Sequence, residues 1–221
     1  MPERIAEGEE RVKFEASRLG PVAPSLRVAA GHLARAVLAM EAAGCCPVLE
    51  DGLAAGNGAL RLDDGTLLVT PSGRRPGVAR PEDIVQLLSF DAEAWSAAYR
   101  SRAPEVRPTS DAPLYVASLV EAPGRFAWPE APAAALHGHV LETERAAREL
   151  DLPLSSADTV FSTPPDRRAL LALLERAPYP RHRTWIRRGH GFITLGASLD
   201  DAIATVRALS TAARRRGLLL A

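Results

Sequence analysis

The chain has 221 residues, 47% apolar and 24% charged, and 27 basic residues balance 27 acidic ones. That length buries one full core and is read as a single domain over 1–221, while the even charge lacks the electrostatic footprint of a nucleic-acid binder. No apolar run is long enough to span a bilayer, and the N-terminal Met1-Pro2-Glu3-Arg4 lacks the apolar core of a signal peptide.

Residues 11–16 alternate polar and apolar and predict a first strand. Gly20-Pro21 and Pro24 break the chain. Ser25 is a candidate N-cap for a helix to about Ala43, with Val28, Leu33, Ala36, Val37 and Met40 on one stripe and Gly44 as its stop. The only cysteines, Cys45 and Cys46, are adjacent. They form no disulfide framework and no zinc-ribbon spacing, so they read as small buried residues in a chain expected in the cytoplasm. A glycine-rich loop, 51–58, leads into Ala59–Leu62, and the Asp63-Asp64-Gly65 turn before Thr66–Thr70 predicts a hairpin. Pro71-Ser72-Gly73 is a second tight turn. Glu82–Ser89 and Ala92–Tyr99 are short segments, the latter ambiguous.

Pro108-Thr109-Ser110-Asp111 precedes an amphipathic helix over Ala112–Val120, with Ser110 or Asp111 as its cap. A strand carrying His137 and His139 follows, then a helix over 141–150, an irregular segment to Pro165 and a helix over 167–176. Thr184–Leu195 reads as a strand holding His190, and Gly196-Ala197-Ser198 opens a last helix from Leu199 to about Arg215. Hairpins mixed with helices argue against a purely parallel sheet.

Chemistry concentrates at Leu136-His137-Gly138-His139 and Gly189-His190-Gly191. In a strand, His137 and His139 point to one face, because side chains alternate with period two. A third imidazole from a distant strand completes three ligands, the set of a catalytic zinc site with one open position. The pair also reads as solvated or hydrogen-bonded histidines. Three polar loops supply anion-binding ingredients: Asn57 between two glycines, the Ser72-Gly73 turn, and Thr109-Ser110 at a helix N-terminus. Each alone also reads as turn or capping chemistry.

Taken in order, the blocks Gly56-Asn57-Gly58-Ala59-Leu60-Arg61, Leu67 to Gly73, Pro108 to Asp111, Leu136 to His139, and Gly189-His190-Gly191 with Gly196 to Ala202 resemble the class II aldolase/adducin family. The resemblance implies a three-layer α/β/α sandwich around a central, mostly antiparallel sheet, and a homotetramer. It implies Zn2+, or another divalent metal, on His137, His139 and His190. It also implies a substrate phosphate held by Asn57, Ser72, Gly73, Thr109 and Ser110. Asp111 falls where aldolases of the family place a catalytic glutamate and the epimerase branch an aspartate.

The resemblance further implies the chemistry: the ion, as a Lewis acid, stabilises the enediolate formed when a C–C bond breaks beside a carbonyl, with Asp111 as general base or fourth ligand. Asp158 is a candidate acid or base in the region where a family tyrosine or aspartate lies. The chain departs from the family at its end. Leu218-Leu219-Leu220-Ala221 supplies no C-terminal tyrosine, and the only tyrosines are Tyr99, Tyr115 and Tyr179.

The function expected is therefore a zinc-dependent aldolase-type lyase acting on a phosphorylated sugar or similar small polyol. The alternatives are pentulose-phosphate 4-epimerisation, sugar-phosphate dehydration or decarboxylation, and a non-catalytic adducin-like interaction module. Arg74-Arg75 read as a solvated pair, at most one of Arg187 and Arg188 lines the site, and His32 and His182 read as structural. Glu142 and Glu144 read as helix N-terminal charges.

Overall fold

The computed structural model describes residues 12–156 and 158–219. Arg11, the extreme N-terminus, and Leu220-Ala221 at the C-terminus therefore lie outside the described residues. Among those residues, eight strands form one sheet in the order β1-β5-β4-β3-β2-β6-β8-β7. They are β1 Glu15–Arg18, β2 Asn57–Arg61, β3 Leu67–Val69, β4 Val85–Asp91, β5 Ser96–Arg100, β6 Ala134–Gly138, β7 Thr184–Arg187 and β8 Gly191–Gly196. Only β1 and β5 pair parallel; every other neighbour is antiparallel.

Helices cover both faces, which gives the three layers expected. On one face lie α1 (Arg27–Ala42), α4 (Glu144–Leu150) and α6 (Leu199–Arg215), packed on Leu68, Leu136, Ile186 and Phe192. On the other lie α2 (Ala112–Val116), α3 (Ala122–Arg125) and α5 (Pro164–Arg176), packed on Ala59, Val69, Ala135, Trp185 and Ile193. The alternation within β6 and β7 decides which side chains meet which layer. His137 shares the face of Ala135, and Arg187 shares that of Trp185, so both look toward the layer of α2 and α5.

Several local expectations shift. The first strand begins at Glu15, although Val12 and Phe14 are buried as their alternation required. Ser25 lies in a 3-10 turn over Pro24–Leu26 and caps nothing; α1 starts at Arg27 without a side-chain cap. Val28 is 71% exposed, because it precedes Leu33 by 1.4 turns and so leaves the stripe that buries Leu33, Val37 and Met40. The helix after Asp111 passes through a π-turn over Ala117–Glu121 before α3. Leu141 has φ 62°, so α4 cannot begin there and starts at Glu144 behind the Thr143 cap. Consequently only Glu144 of the two glutamates stands in the first helical turn.

The predicted strand over 184–195 is a hairpin of β7 and β8, with Arg188-Gly189-His190 as its corner. At the end of the chain, Ser198 caps α6 by accepting the Asp201 N–H at 3.1 Å. Among the described residues, no helix is long and apolar enough to cross a membrane.

Candidate metal centre

The three histidines converge from two separate segments. His137 is the penultimate residue of β6, His139 lies one residue past the strand, and His190 sits at the β7–β8 corner. Their ring centroids are 4.5, 4.7 and 5.0 Å apart. Ligand atoms of all three and of Asp111 lie within 4.8 Å of one another.

Glycines make this convergence possible. A Cβ on Gly191, whose φ is +133°, would come 2.1 Å from the Gly138 carbonyl oxygen. A Cβ on Gly138 would meet the Phe192 ring at 2.6 Å and the Cys45 carbonyl oxygen at 2.9 Å. Backbone therefore approaches backbone at the point where both histidine segments meet. Cys45 contributes through its main chain, its carbonyl accepting the His139 N–H at 3.1 Å. Both thiols are buried and free, as expected.

The donor chemistry fits a divalent ion. His137 Nδ1 lies 2.6 Å from the Phe192 carbonyl oxygen, which can only accept, so this nitrogen carries the proton and Nε2 offers a lone pair. His190 Nε2 is buried without a hydrogen-bond partner. Burial lowers the His137 pKa, and the Arg187 guanidinium lowers it too, against the opposing pull of Asp111. Burial drives His190 well below its ordinary range, reinforced by Arg187 and the neighbouring imidazoles. Neutral imidazole is the form that binds metal.

Asp111 stands at the N-terminus of α2, yet its side chain makes no capping bond. It faces the histidines instead, with Oδ2 3.8 Å from His137 Nε2. Burial alone would raise its pKa; His137, Arg187 and His139 outweigh it, the Asn57 amide adds to them, and the carboxyl is held down to about 2. Since His137 is itself driven toward neutrality, Arg187 is the permanent cation that keeps Asp111 ionised.

Asn57 Nδ2 donates to Asp111 Oδ2 at 2.8 Å, and Tyr115 donates its hydroxyl to Asn57 Oδ1. Burial and Asp111 both push the Tyr115 phenol well upward, so it keeps its proton. The loop ahead of Asp111 is tied to the Pro71 turn. Pro71 and Pro108 form a bridge, the Thr109 N–H reaches the Thr70 carbonyl at 3.0 Å, and the Ser72 N–H reaches that of Arg107 at 3.0 Å. The two loops are therefore tied antiparallel at Pro71 and Pro108, with Ser72 opposite Arg107 and Thr109 opposite Thr70. Thr109 is buried, and its hydroxyl accepts the Asp111 N–H at 3.4 Å.

Asp158 lies apart from the four ligand candidates. It is 73% exposed, 3.8 Å from Arg188 Nε, and packs over Gly189 beside the His190 corner. Phe161, on the same segment, places its ring 5.7 Å from that of His190. Arg74 is not solvated; it is buried and pairs with Glu41 at 2.5 Å, so the expectation of an exposed arginine pair fails.

Sequence reasoning passed over Tyr115, Asp166 and the full weight of Arg187. Arg187 donates to Asp111 at 3.1 Å and to Asp166 at 2.6 Å. A signal existed for Arg187 alone, since period two places it on the face of Trp185. Asp166 and Tyr115 carry no local signal, because Pro-Pro-Asp resembles any helix start and Tyr115 any core aromatic.

Residues 33–216 match the model of the Class II Aldolase and Adducin N-terminal domain. Methylthioribulose-1-phosphate dehydratase of Methylococcus capsulatus is 31% identical over 169 residues, which are 70% of this chain and 78% of that one. Among solved structures, a sugar-phosphate aldolase from Thermotoga maritima superposes with TM-score 0.66 at 15% identity, covering 86% of this chain and 94% of that one. The l-fuculose-1-phosphate aldolase of Thermus thermophilus gives TM-score 0.55 at 18% identity, covering 88% and 94%. At such identities these two speak for the fold.

Proposed function

Because the chain belongs to the class II aldolase and adducin family, we propose that it is a metal-dependent lyase acting on a phosphorylated ketose or similar polyol. The observation that carries this reading is the convergence of three histidine rings on a buried, ionised aspartate, Asp111. His137, His139 and His190 would hold a divalent ion, with Zn2+ the first candidate. When bound, the ion supplies Lewis-acid stabilisation of negative charge on substrate oxygens.

The chain's own residues do the rest. Asp111, fixed by Asn57 and Arg187, accepts a proton from the substrate carbon or hydroxyl brought beside it. Ser72-Gly73 and Thr109-Ser110, on two loops tied at Pro71 and Pro108, would with the backbone of Asn57 hold the phosphate and so fix which atom faces Asp111. Asp158, at the exposed rim beside His190, is the candidate that returns a proton.

Aldol cleavage is the leading reaction. Elimination of water is the second reading, favoured by the similarity to a methylthioribulose-1-phosphate dehydratase. The two differ in where Asp111 takes its proton: a hydroxyl for C–C cleavage, a carbon beside the carbonyl for loss of water. The test is to load the protein with zinc and incubate it with a panel of ketose 1-phosphates. Release of dihydroxyacetone phosphate marks cleavage, and loss of one water from an intact carbon chain marks elimination. A zinc-loaded protein that transforms no phosphorylated sugar would overturn the proposal.

A further inference from the structure

The hub of the buried polar network is Arg187, which β7 carries into the floor of the site. Its guanidinium spans two carboxylates, Asp111 Oδ1 at 3.1 Å on one side and Asp166 Oδ2 at 2.6 Å on the other. All three side chains are at least 96% buried. Asp166 is itself fixed from behind. Its Oδ2 accepts the Ser162 N–H at 3.1 Å, its Oδ1 accepts the Thr159 hydroxyl at 3.0 Å, and it stands in the first turn of α5. The guanidinium is therefore braced by a helix and a loop, and has little freedom to follow a moving partner.

Asp111 is pinned from both ends. Arg187 occupies Oδ1, and the Asn57 amide, itself fixed by Tyr115, occupies Oδ2 at 2.8 Å. His137 Nε2 is 3.8 Å from Asp111 Oδ2 and 3.4 Å from an Arg187 amino group. A carboxylate this close to three imidazoles would swing onto their ion as a fourth ligand if nothing restrained it, because a short move brings an oxygen to a bonding distance of about 2.0–2.2 Å. A carboxylate spent as a ligand is a poor base.

We infer that Arg187, braced by Asp166, is a positioning residue that keeps Asp111 out of the metal's coordination sphere and available to the substrate. The inference rests on the metal-site reading given above. It separates two roles for Asp111, base and fourth ligand, that the residue pattern left open. It also assigns a purpose to a buried triad that carries net negative charge and is costly to desolvate.

The experiment is zinc affinity by competition with a chelator, together with the visible spectrum of the cobalt(II)-substituted protein. Both are measured for the wild type, Asp111→Asn, Arg187→Met and the double variant. Neither readout depends on turnover. Asp111→Asn should leave zinc affinity within about threefold of wild type, far from the 10–100-fold change typical of losing a metal-site partner. Arg187→Met should tighten zinc binding about tenfold and change the cobalt spectrum as a carboxylate joins the coordination sphere. The double variant should return both readouts to wild type.

Loss of affinity greater than about tenfold in Asp111→Asn would overturn the inference, because Asp111 would then already be a ligand. So would unchanged or weaker binding in Arg187→Met. Tightening that persists in the double variant would also overturn it, since simple charge repulsion between Arg187 and the ion would explain it. If Arg187→Met does not fold, Asp166→Asn, which loosens the brace and keeps the side-chain shape, takes its place with the same expectations. A wild type that takes up neither zinc nor cobalt would defeat the metal reading itself, a result distinct from normal uptake with no response to Arg187→Met.

Discussion

Gly191 and Gly138 approach so closely that a Cβ on Gly191 would sit 2.1 Å from the Gly138 carbonyl oxygen, with Gly191 already at φ +133°. This contact fastens the corner carrying His190 to the strand end carrying His137 and His139. Gly191→Ala should therefore destabilise the protein by at least the ~1–3 kcal/mol of a forced backbone conformation. It should also lower metal affinity by splaying the two segments. Thermal melting and zinc titration check both effects, and a variant with unchanged melting temperature and zinc binding would refute the contact.

His139→Ala should abolish metal uptake and turnover while leaving the fold nearly intact, because His139 is only half-buried just past β6. Elemental analysis and far-ultraviolet circular dichroism test this together. Retained turnover without bound metal would end the metal-dependent mechanism.

The acid limb of stability should fall in two stages in protein stripped of metal. Burial holds His137 below, and His190 well below, the ordinary value of 6.5. Folding therefore favours their neutral forms, and the stability this gives is present above pH 6.5 and lost as pH drops from there. Asp111 behaves likewise at lower pH: against an ordinary 3.8 it is held at about 2, so its contribution survives until pH falls below 3.8 toward 2. Melting temperature should decline below about pH 6.5, and His190→Gln should blunt that first decline. A flat profile from pH 7 to 5 would contradict the burial of the two rings.

Cys45 and Cys46 should resist alkylation in the folded protein. Burial pushes the thiols up to about 11 and about 12, against the lowering pull of Arg214 on Cys45 and Arg74 on Cys46. At pH 8 neither presents appreciable thiolate, so iodoacetamide should label both only after denaturation. Rapid labelling of the native protein would show that this loop opens.

Asp158→Asn should depress turnover much more than substrate affinity if Asp158 moves the proton at the rim. At 73% exposure its ion pair with Arg188 adds little to stability, so the melting temperature should hold. Unchanged turnover would remove it from the site.

Much of this protein was legible from its residues in order. The Asp63-Asp64-Gly65 turn announced the β2–β3 hairpin, and Gly196-Ala197-Ser198 announced α6, because turn and cap chemistry act within a few residues. His137 and His139 stood out as candidate ligands because alternation in a strand turns both to one face, and the resemblance joined His190 to them. Helix starts drifted where capping was weak, as at Ser25, or where one residue took a left-handed conformation, as at Leu141.

By itself the sequence determined the element types, the mixed architecture and the identity of the candidate ligands, all properties of local backbone preference and periodicity. Only the tertiary structure decided that β1 pairs parallel with β5, that His190 occupies a hairpin corner, and that Arg187 bridges Asp111 and Asp166 beneath the site. Those three partners lie on β7, ahead of α2 and on α5. Which charges share a buried floor depends on how those elements pack across one face of the sheet, a relation that no spacing along the chain encodes.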